Sequence, residues 1–462
     1  MAIAQRPLTS TQDPAVKAFA ARIAGDVILP EDDAYDAART VFTLVDRRPG
    51  IIVRVADAPD VAEAVRFARA QGMEIAVRSG GHSVIGAGVV DDAVVIDMSG
   101  LKNFRIDPKN ETVWVQPAVT TGDFAPAAAE LGFALTTGDA STVGLGGLTL
   151  GGGIGWLVRK HGLTIDHLLA AEVVTAEGEI VRATETQNAD LFWALRGGGG
   201  NFGIVTAFEF RLERLAMIYG GALVLPATPE VLRGYLDYAR HAPDELTTIT
   251  MVMGAPPAPF IPEDKVGELS LIIITVYAGD VEKGPDVVAP LRALAEPIAD
   301  LVDVMPYPAI YMFTEEATKP HRIAIRSEFT DEVSDEFIER SLELGRQAPG
   351  PLTAVQFRPL GGQLARVPAG ATAFSHRDAG FMVTVLGMYV DPADGPAHDQ
   401  WADAIAEHLR PLSRGVYSNF LGNEGENRTR EAYNPETYAR LVELKRKYDP
   451  QNIFHFNQNI RP

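Results

Sequence analysis

The run Arg78-Ser79-Gly80-Gly81-His82-Ser83 sets one histidine in a turn that two adjacent glycines permit, directly after the strand-like Met73-Glu74-Ile75-Ala76-Val77. Adjacent glycines open backbone conformations closed to other residues, so several N–H groups of one turn can converge on one anion. A histidine held there can touch whatever carries that anion. A second candidate is Thr142-Val143-Gly144-Leu145-Gly146-Gly147-Leu148-Thr149-Leu150-Gly151-Gly152-Gly153-Ile154-Gly155-Trp156, within a segment (138–155) carrying eight glycines in eighteen positions. Glycine at that density costs conformational entropy, and a flexible linker would be polar rather than interleaved with Val, Leu, Ile and Trp. Backbone that closely approaches a flat or anionic ligand accounts for both features.

Other chemistries find less support. No GxxxxGK[ST] is present, which excludes a P-loop nucleotide site. Gly198-x-Gly200-x-x-Gly203 matches the letters of the dinucleotide fingerprint but not its setting. A helical stretch precedes it and a β-branched strand follows, the reverse of the strand-then-helix order such a site requires. The nucleophile elbow GxSxG is absent. The chain has no cysteine, so disulfides, thiolate metal sites, cysteine nucleophiles and cysteinyl cofactor links are all excluded. His161 and His167 lie on either side of Asp166 with no matching third ligand, and no metal site is expected. No carboxylate pair stands out among 61 acidic residues.

The elements that position these residues follow from periodicity and punctuation. Residues 51–55 read as a buried strand. Asp60 reads as the N-cap of an amphipathic helix over 61–71, which Gly72 ends, and strands at 75–77 and 94–96 complete a βαβ start. Strand-like 112–119, helical 123–130, strand-like 172–175, helical 190–195 and strand-like 203–210 follow. Beyond Arg214 glycine thins out and longer elements alternate. Helices are expected at 229–240, 286–295 and 400–409, and strands at 269–277 and 381–390. A charged amphipathic helix over 434–448 stops at Asp449-Pro450. The tail Ile453-Phe454-His455-Phe456-Asn457-Gln458-Asn459-Ile460 is rich enough in Phe and Asn to dock on a core. Two domains are expected in this 462-residue chain: 1–214, with 411–462 returning to it, and 215–410. A net charge of −20 argues against nucleic acid or an anionic membrane surface as partner. Met1 to Pro30 shows no secretory pattern, no apolar run is long enough to span a bilayer, and the cytoplasm is the expected compartment. No sequence feature sets an oligomeric state.

Taken in order, five motifs carry a family resemblance: Arg78 to Ser83, the segment 138–155, Gly162-Leu163-Thr164-Ile165-Asp166, the run from Asp190 to Gly203, and Tyr448-Asp449-Pro450-x-Asn452-x-Phe454. The chain resembles the bacterial berberine-bridge-enzyme-like flavin oxidases of the vanillyl-alcohol oxidase / p-cresol methylhydroxylase superfamily, and the match covers nearly its whole length. The resemblance implies an α+β fold, with a two-subdomain FAD-binding domain of the p-cresol methylhydroxylase type. It also implies a substrate domain built on a large antiparallel sheet covered by helices. The implied cofactor is FAD, bonded covalently through its 8α-methyl to His82, with Arg78, Ser79, Gly80, Gly81 and Ser83 around the pyrophosphate. Gly138, Ala140, Val143, Gly144, Gly146, Gly147, Gly152 and Gly153 are expected close to the cofactor. Asn201, Gly203 and Val205 are expected toward its adenosine half, and Asn457 and Asn459 among its contacts.

Many relatives attach FAD a second time through the cysteine of G-x-C-x-x-V-G. That position is Ala140 here, so the link is expected to be monocovalent. Valine at position 143 corresponds, in plant relatives, to access for oxygen. The resemblance also suggests a catalytic base, the tyrosine of a C-terminal Y-x-N-[FY] strand, which is Tyr417 in Tyr417-Ser418-Asn419-Phe420. Such a base needs a lowered pKa. His376 and Tyr389 are weaker candidates, and a structurally paired fate is expected for His376-Arg377. The expected reaction is hydride transfer from a C–H bond of a small alcohol, sugar, phenolic or amine substrate to flavin N5, with O2 returned as hydrogen peroxide. The alternatives are a dehydrogenase that uses another acceptor and a flavoprotein whose FAD is structural or non-redox.

Overall fold

Three β-branched runs, Ile51–Arg54, Ile75–Arg78 and Val94–Asp97, form the parallel part of a four-stranded sheet in the computed structural model, which describes residues 13–462. They pair in parallel with Val94–Asp97 in the middle, and Asp26–Ile28 adds an antiparallel edge strand. The crossover helix is Ala58–Gln71. It begins earlier than expected, because Pro59 in the first turn has no N–H to lose and Asp57 caps the helix by accepting from the Asp60 amide. Asp60, expected as the cap, is instead buried and accepts from the amides of Ala24, Gly25 and Ala56. The reading of Met1 to Pro30 as lacking a secretory leader falls in part on residues 1–12, outside the described residues.

A second, five-stranded antiparallel sheet has the order Phe104–Asp107, Thr112–Val115, Ile204–Arg211, Leu168–Val174, Ile180–Thr184. The glycine-rich loops lie at its edge, between the short helix Leu145–Leu150 and the turn Gly199–Asn201.

The third sheet is a nine-stranded antiparallel one. Its central strands, in order, are Met217–Pro226, Leu269–Tyr277, Leu246–Gly254, Thr353–Pro359, Phe381–Tyr389 and Arg322–Thr330. Side chains alternate across it with period two. Val355, Phe357, Val383, Leu223 and Ile273 point to one face, where they meet Leu232, Tyr235, Phe337, Leu342, Trp401 and Ile405 of the helices Pro229–His241, Asp335–Gly345 and Gly395–Leu409. Truncating a fully buried ring such as Phe357 to alanine would cost about 3–5 kcal/mol. The opposite face turns toward the first two sheets. The architecture is thus α+β, with a large antiparallel sheet covered by helices.

The chain ends by returning to the first two sheets. Helix Pro435–Tyr448 is followed by a tail whose Phe454 joins the cluster of Val53, Val94 and Ile204, while Ile460 joins that of Phe208 and Leu441. At the corner Lys445 and Asp449, both fully buried, pair at 2.6 Å. Lys445 also donates to the carbonyls of Asn201 and Phe454, and Asp449 accepts from the amides of Ile453 and Phe454. Among the described residues no helix is long and apolar enough to cross a membrane.

Candidate active site

Between the glycine loops and the bare face of the large sheet lies one cavity of about 1740 Å³. Pockets for single small molecules run to roughly 300–1,000 Å³, so this space suits two molecules side by side. Its wall carries Arg78, Ser79, Gly80, Gly81, His82, Ser83, Gly138, Ala140, Val143, Gly144, Gly146, Gly147, Asn201, Gly203, Val205, Asn457 and Tyr417. Most of the residues singled out in the sequence therefore meet at one place. The two glycine loops touch back to back: a Cβ on Gly80 would fall 2.5 Å from the Gly144 nitrogen, and one on Gly144 would fall 2.8 Å from the Gly80 nitrogen. No side chain fits at either position, which is why both loops read as glycine.

His82 lies on this wall with its ring stacked on Phe42, centroids 4.2 Å apart. Burial drives its pKa from 6.5 down to about 4, against a hydrogen bond to the Thr142 backbone. The imidazole is therefore neutral at physiological pH and keeps a free lone pair. The hydroxyl of Ser79 is used internally, whereas that of Ser83 acts in its loop only as an acceptor. Ser79 donates to the Pro117 carbonyl at 2.6 Å, and Ser83 accepts from the Ala87 amide. Arg78 donates to the Ala38 carbonyl, and its guanidinium lies 3.9 Å from Asp97. This turn presents to the cavity its backbone, the imidazole and the Ser83 hydroxyl.

Five expected positions lie elsewhere. Gly152 and Gly153 sit behind the wall, where a Cβ would collide with Phe374 and Thr164 respectively, and Gly153 reaches the site only through its amide, which bonds Tyr417. Asn459 is likewise off the wall, while Asn457 on it reaches the Gly200 and Phe454 carbonyls. His376 opens into a separate polar cavity, with its Nε2 2.9 Å from the Glu431 carbonyl and its ring on Phe329, which stands between it and Tyr417. Arg377 is paired with Asp166 at 2.7 Å, as expected for a structural partner. Tyr389 ends its strand on the helix-covered side, stacked on His398 at 4.5 Å. Neither His376 nor Tyr389 faces the large cavity.

Tyr417 does. Residues 418–420 form a 3₁₀ turn after strand Ser413–Gly415, not the expected strand, closed by the Phe420 amide on the Tyr417 carbonyl. The turn brings Asn419 Nδ2 to 3.0 Å from Tyr417 Oη, and the Gly153 amide donates to the same oxygen at 3.2 Å. Burial raises the Tyr417 pKa above 10, opposite to the lowering a base requires. The Gly153 and Asn419 donors, and more weakly Arg358, work against that rise because each favours the phenolate.

Sequence reasoning missed the sheet side of the cavity. Arg358 there pairs with Asp139 at 2.5 Å, donates to Gln356 and lies over Phe420. Gln356 faces Thr384 directly across paired strands, and the Thr384 hydroxyl is buried without a partner. Ser327 continues the row on the far side of Thr384, with its hydroxyl also buried and unpartnered, and most of the remaining cavity-facing residues of these strands are apolar. The only signal was the alternation within 353–359 and 381–389, which marks one face as non-core without saying what covers it.

The wall fits FAD, the cofactor the motifs imply. A Cβ on Gly147 would meet nothing within 4 Å, so the cavity reaches bare backbone there, and the buried Oδ1 of Asn457 on the same wall has no partner. Comparison with known proteins agrees. Residues 49–184 match the FAD binding domain family, and residues 416–461 match the berberine and berberine-like family. (R)-6-hydroxynicotine oxidase of Paenarthrobacter nicotinovorans is 31% identical over 463 residues, covering 95% of this chain and 97% of the relative. The crystal structure of 6-hydroxy-D-nicotine oxidase from Arthrobacter nicotinovorans superposes with a TM-score of 0.84 at 29% identity, over 95% of this chain and 98% of that one. Berberine bridge enzyme from Eschscholzia californica shares the fold, with a TM-score of 0.84 at 21% identity over 97% and 99% of the two chains. The chain belongs to the berberine-bridge-enzyme-like FAD-linked oxidoreductases of the p-cresol methylhydroxylase superfamily.

Proposed function

We propose that this enzyme carries FAD on His82 and oxidises a C–H bond of a small alcohol, sugar, phenolic or amine substrate, with oxygen as final acceptor and hydrogen peroxide as product. One observation carries the reading: Tyr417 Oη, held by two N–H donors, shares a cavity wall with a neutral His82. Bound FAD supplies the hydride acceptor. The backbone of 79–83, 143–147 and 199–203 would hold it, with Asn457 at the tail, and the domain division at 214/215 and 410/411 separates these residues from the substrate side.

A neutral imidazole can form the N–C link through its free lone pair. Such a bond would release the imidazole proton and one methyl hydrogen, and would leave two electrons for the oxidant used in turnover. Tyr417 takes the substrate proton as hydride leaves, and the Gly153 and Asn419 donors stabilise its oxygen when charged. Arg358 is neutralised by Asp139 and acts on Tyr417 only weakly. Val143 on the cavity wall supports access for oxygen.

Anaerobic mixing with a panel of alcohols, sugars, phenols and amines tests this. Bleaching of the flavin band by at least one compound, then fast recovery and peroxide on admitting air, is the expected result. Slow recovery in air would assign a different acceptor, and no bleaching by any class would overturn the redox reading.

A further inference from the structure

The floor of the cavity is the face of the large sheet turned away from its helices, and Met251, Met253, Ile272, Ile325, Leu386 and Met388 cover much of it. Their strands span four inter-strand gaps, from 269–277 to 322–330, which is about 19 Å of apolar surface. Thioether side chains are adaptable and accept varied apolar shapes. The apolar lining continues to the mouth, where Phe260, Val266 and Met312 are 38%, 42% and 64% exposed. Solvent-facing side chains of this kind grouped around one opening mark a surface for an apolar ligand.

The polar groups of the floor are few, with Glu316 and Arg346 elsewhere on the lining. Gln356, Thr384 and Ser327 form one row across paired strands, and Thr384 and Ser327 keep buried hydroxyls with no partner. Gln356 connects through Arg358 and Phe420 to Tyr417. Arg358 is spent on Asp139, so this row presents no free charge of either sign. A saccharide would bring many hydroxyls to a floor whose free polar groups are those of Gln356, Thr384 and Ser327, and unsatisfied buried hydroxyls are costly. A protonated amine would need a carboxylate, and both on the lining are paired, Asp139 with Arg358 and Glu316 with Lys319.

We infer that the substrate is a neutral, predominantly hydrocarbon alcohol, with its carbinol end at Tyr417, Gln356 and Thr384 and its hydrocarbon body along the methionine-rich floor. This rests on the oxidase reading above. The carbinol carbon loses hydride with both electrons, its hydroxyl proton passes to Tyr417, and a carbonyl forms. Oxygen takes up the two electrons and two protons as hydrogen peroxide.

The holoenzyme tests it directly. Across straight-chain alcohols of increasing length, kcat/KM should rise about fourfold per methylene until the floor is covered, because each buried methylene contributes to binding. Xylobiose, glucose and primary amines should fall at least a hundredfold below the best alcohol. A flat length dependence, or a sugar or amine that surpasses every apolar alcohol, would overturn the inference while leaving the oxidase reading intact. If dithionite but no alcohol, sugar, phenol or amine bleaches the flavin, the oxidase reading itself falls. Calorimetry with tertiary alcohols, which have no carbinol C–H to lose, still reads the cavity in that case. Binding with a negative heat-capacity change is expected; no binding, or tighter binding of xylobiose, would overturn the assignment.

Discussion

Removing the Tyr417 hydroxyl separates catalysis from cofactor retention. In Tyr417→Phe the ring stays between Phe329, Phe374 and Phe420, and only the oxygen that accepts from Gly153 and Asn419 is lost. The buried Gly153 amide is left without that partner, at a cost of about 1–3 kcal/mol in stability. Loss of a positioned base slows flavin reduction by about 10²–10⁴. Asn419→Leu keeps the phenol and removes one donor. A hydrogen bond to a charged group is worth about 1.5–3 kcal/mol, and each pH unit corresponds to about 1.4 kcal/mol, so the phenol pKa should climb by a further one to two units. The sign follows from burial. Tyr417 is already held above 10, the base works only when deprotonated, and kcat/KM climbs with pH below that value. Asn419→Leu therefore moves the limb to higher pH and lowers the neutral-pH rate about ten- to hundredfold. Asn419 Nδ2 also reaches the Leu148 carbonyl, so urea unfolding accompanies the stopped-flow pH profile. A Tyr417→Phe enzyme that reduces its flavin at the wild-type rate, or a profile with no rising limb, would refute the reasoning.

Two further outcomes concern the frame around the site. Asp449→Ala strands the fully buried Lys445 ammonium, costing about 3–5 kcal/mol in urea unfolding at pH 7. Burial already lowers the Lys445 pKa and Asp449 opposes it, so the deficit should shrink toward pH 10, and a loss under about 1 kcal/mol would contradict this. His161 and His167 are held down to about 4, chiefly by burial, so the folded chain binds fewer protons than the unfolded one between pH 6.5 and 4. Stability is intact above 6.5 and falls by up to roughly 3 kcal/mol per ring as pH drops to 4. His167→Gln should flatten the melting-temperature slope in that window, and an unchanged slope would contradict this.

The cofactor side of the cavity was legible because its constraints are local. A turn that needs Gly80 beside Gly144, and a histidine within the same few residues, leave a contiguous trace in the chain. The stack of Phe42 on His82 and the pair of Arg358 with Asp139 are made by distant segments, and no short motif records them. The caps show the same divide: Asp57 and Asp60 are equivalent in composition, and only the tertiary amides of Ala24 and Gly25 decide which is buried. His376 and Tyr389 were plausible as chemistry-bearing side chains near Tyr417 in sequence. The period-two alternation of the strand and the intervening Phe329 turn them away. Of the floor, only the strands at 269–277 and 381–390 were expected, and not their ligand-facing side, because an apolar residue facing a ligand and one facing a helix look alike in sequence.

We propose that His82 holds FAD covalently in this cavity. Denaturing electrophoresis of the wild type and His82→Ala, viewed under ultraviolet light before staining, tests it most directly. The wild-type band should fluoresce, and intact mass should show the chain plus one FAD. The His82→Ala band should be dark, with its yellow colour released on acid precipitation. A fluorescent His82→Ala band, or a dark wild-type band from protein that was yellow before denaturation, would contradict the account.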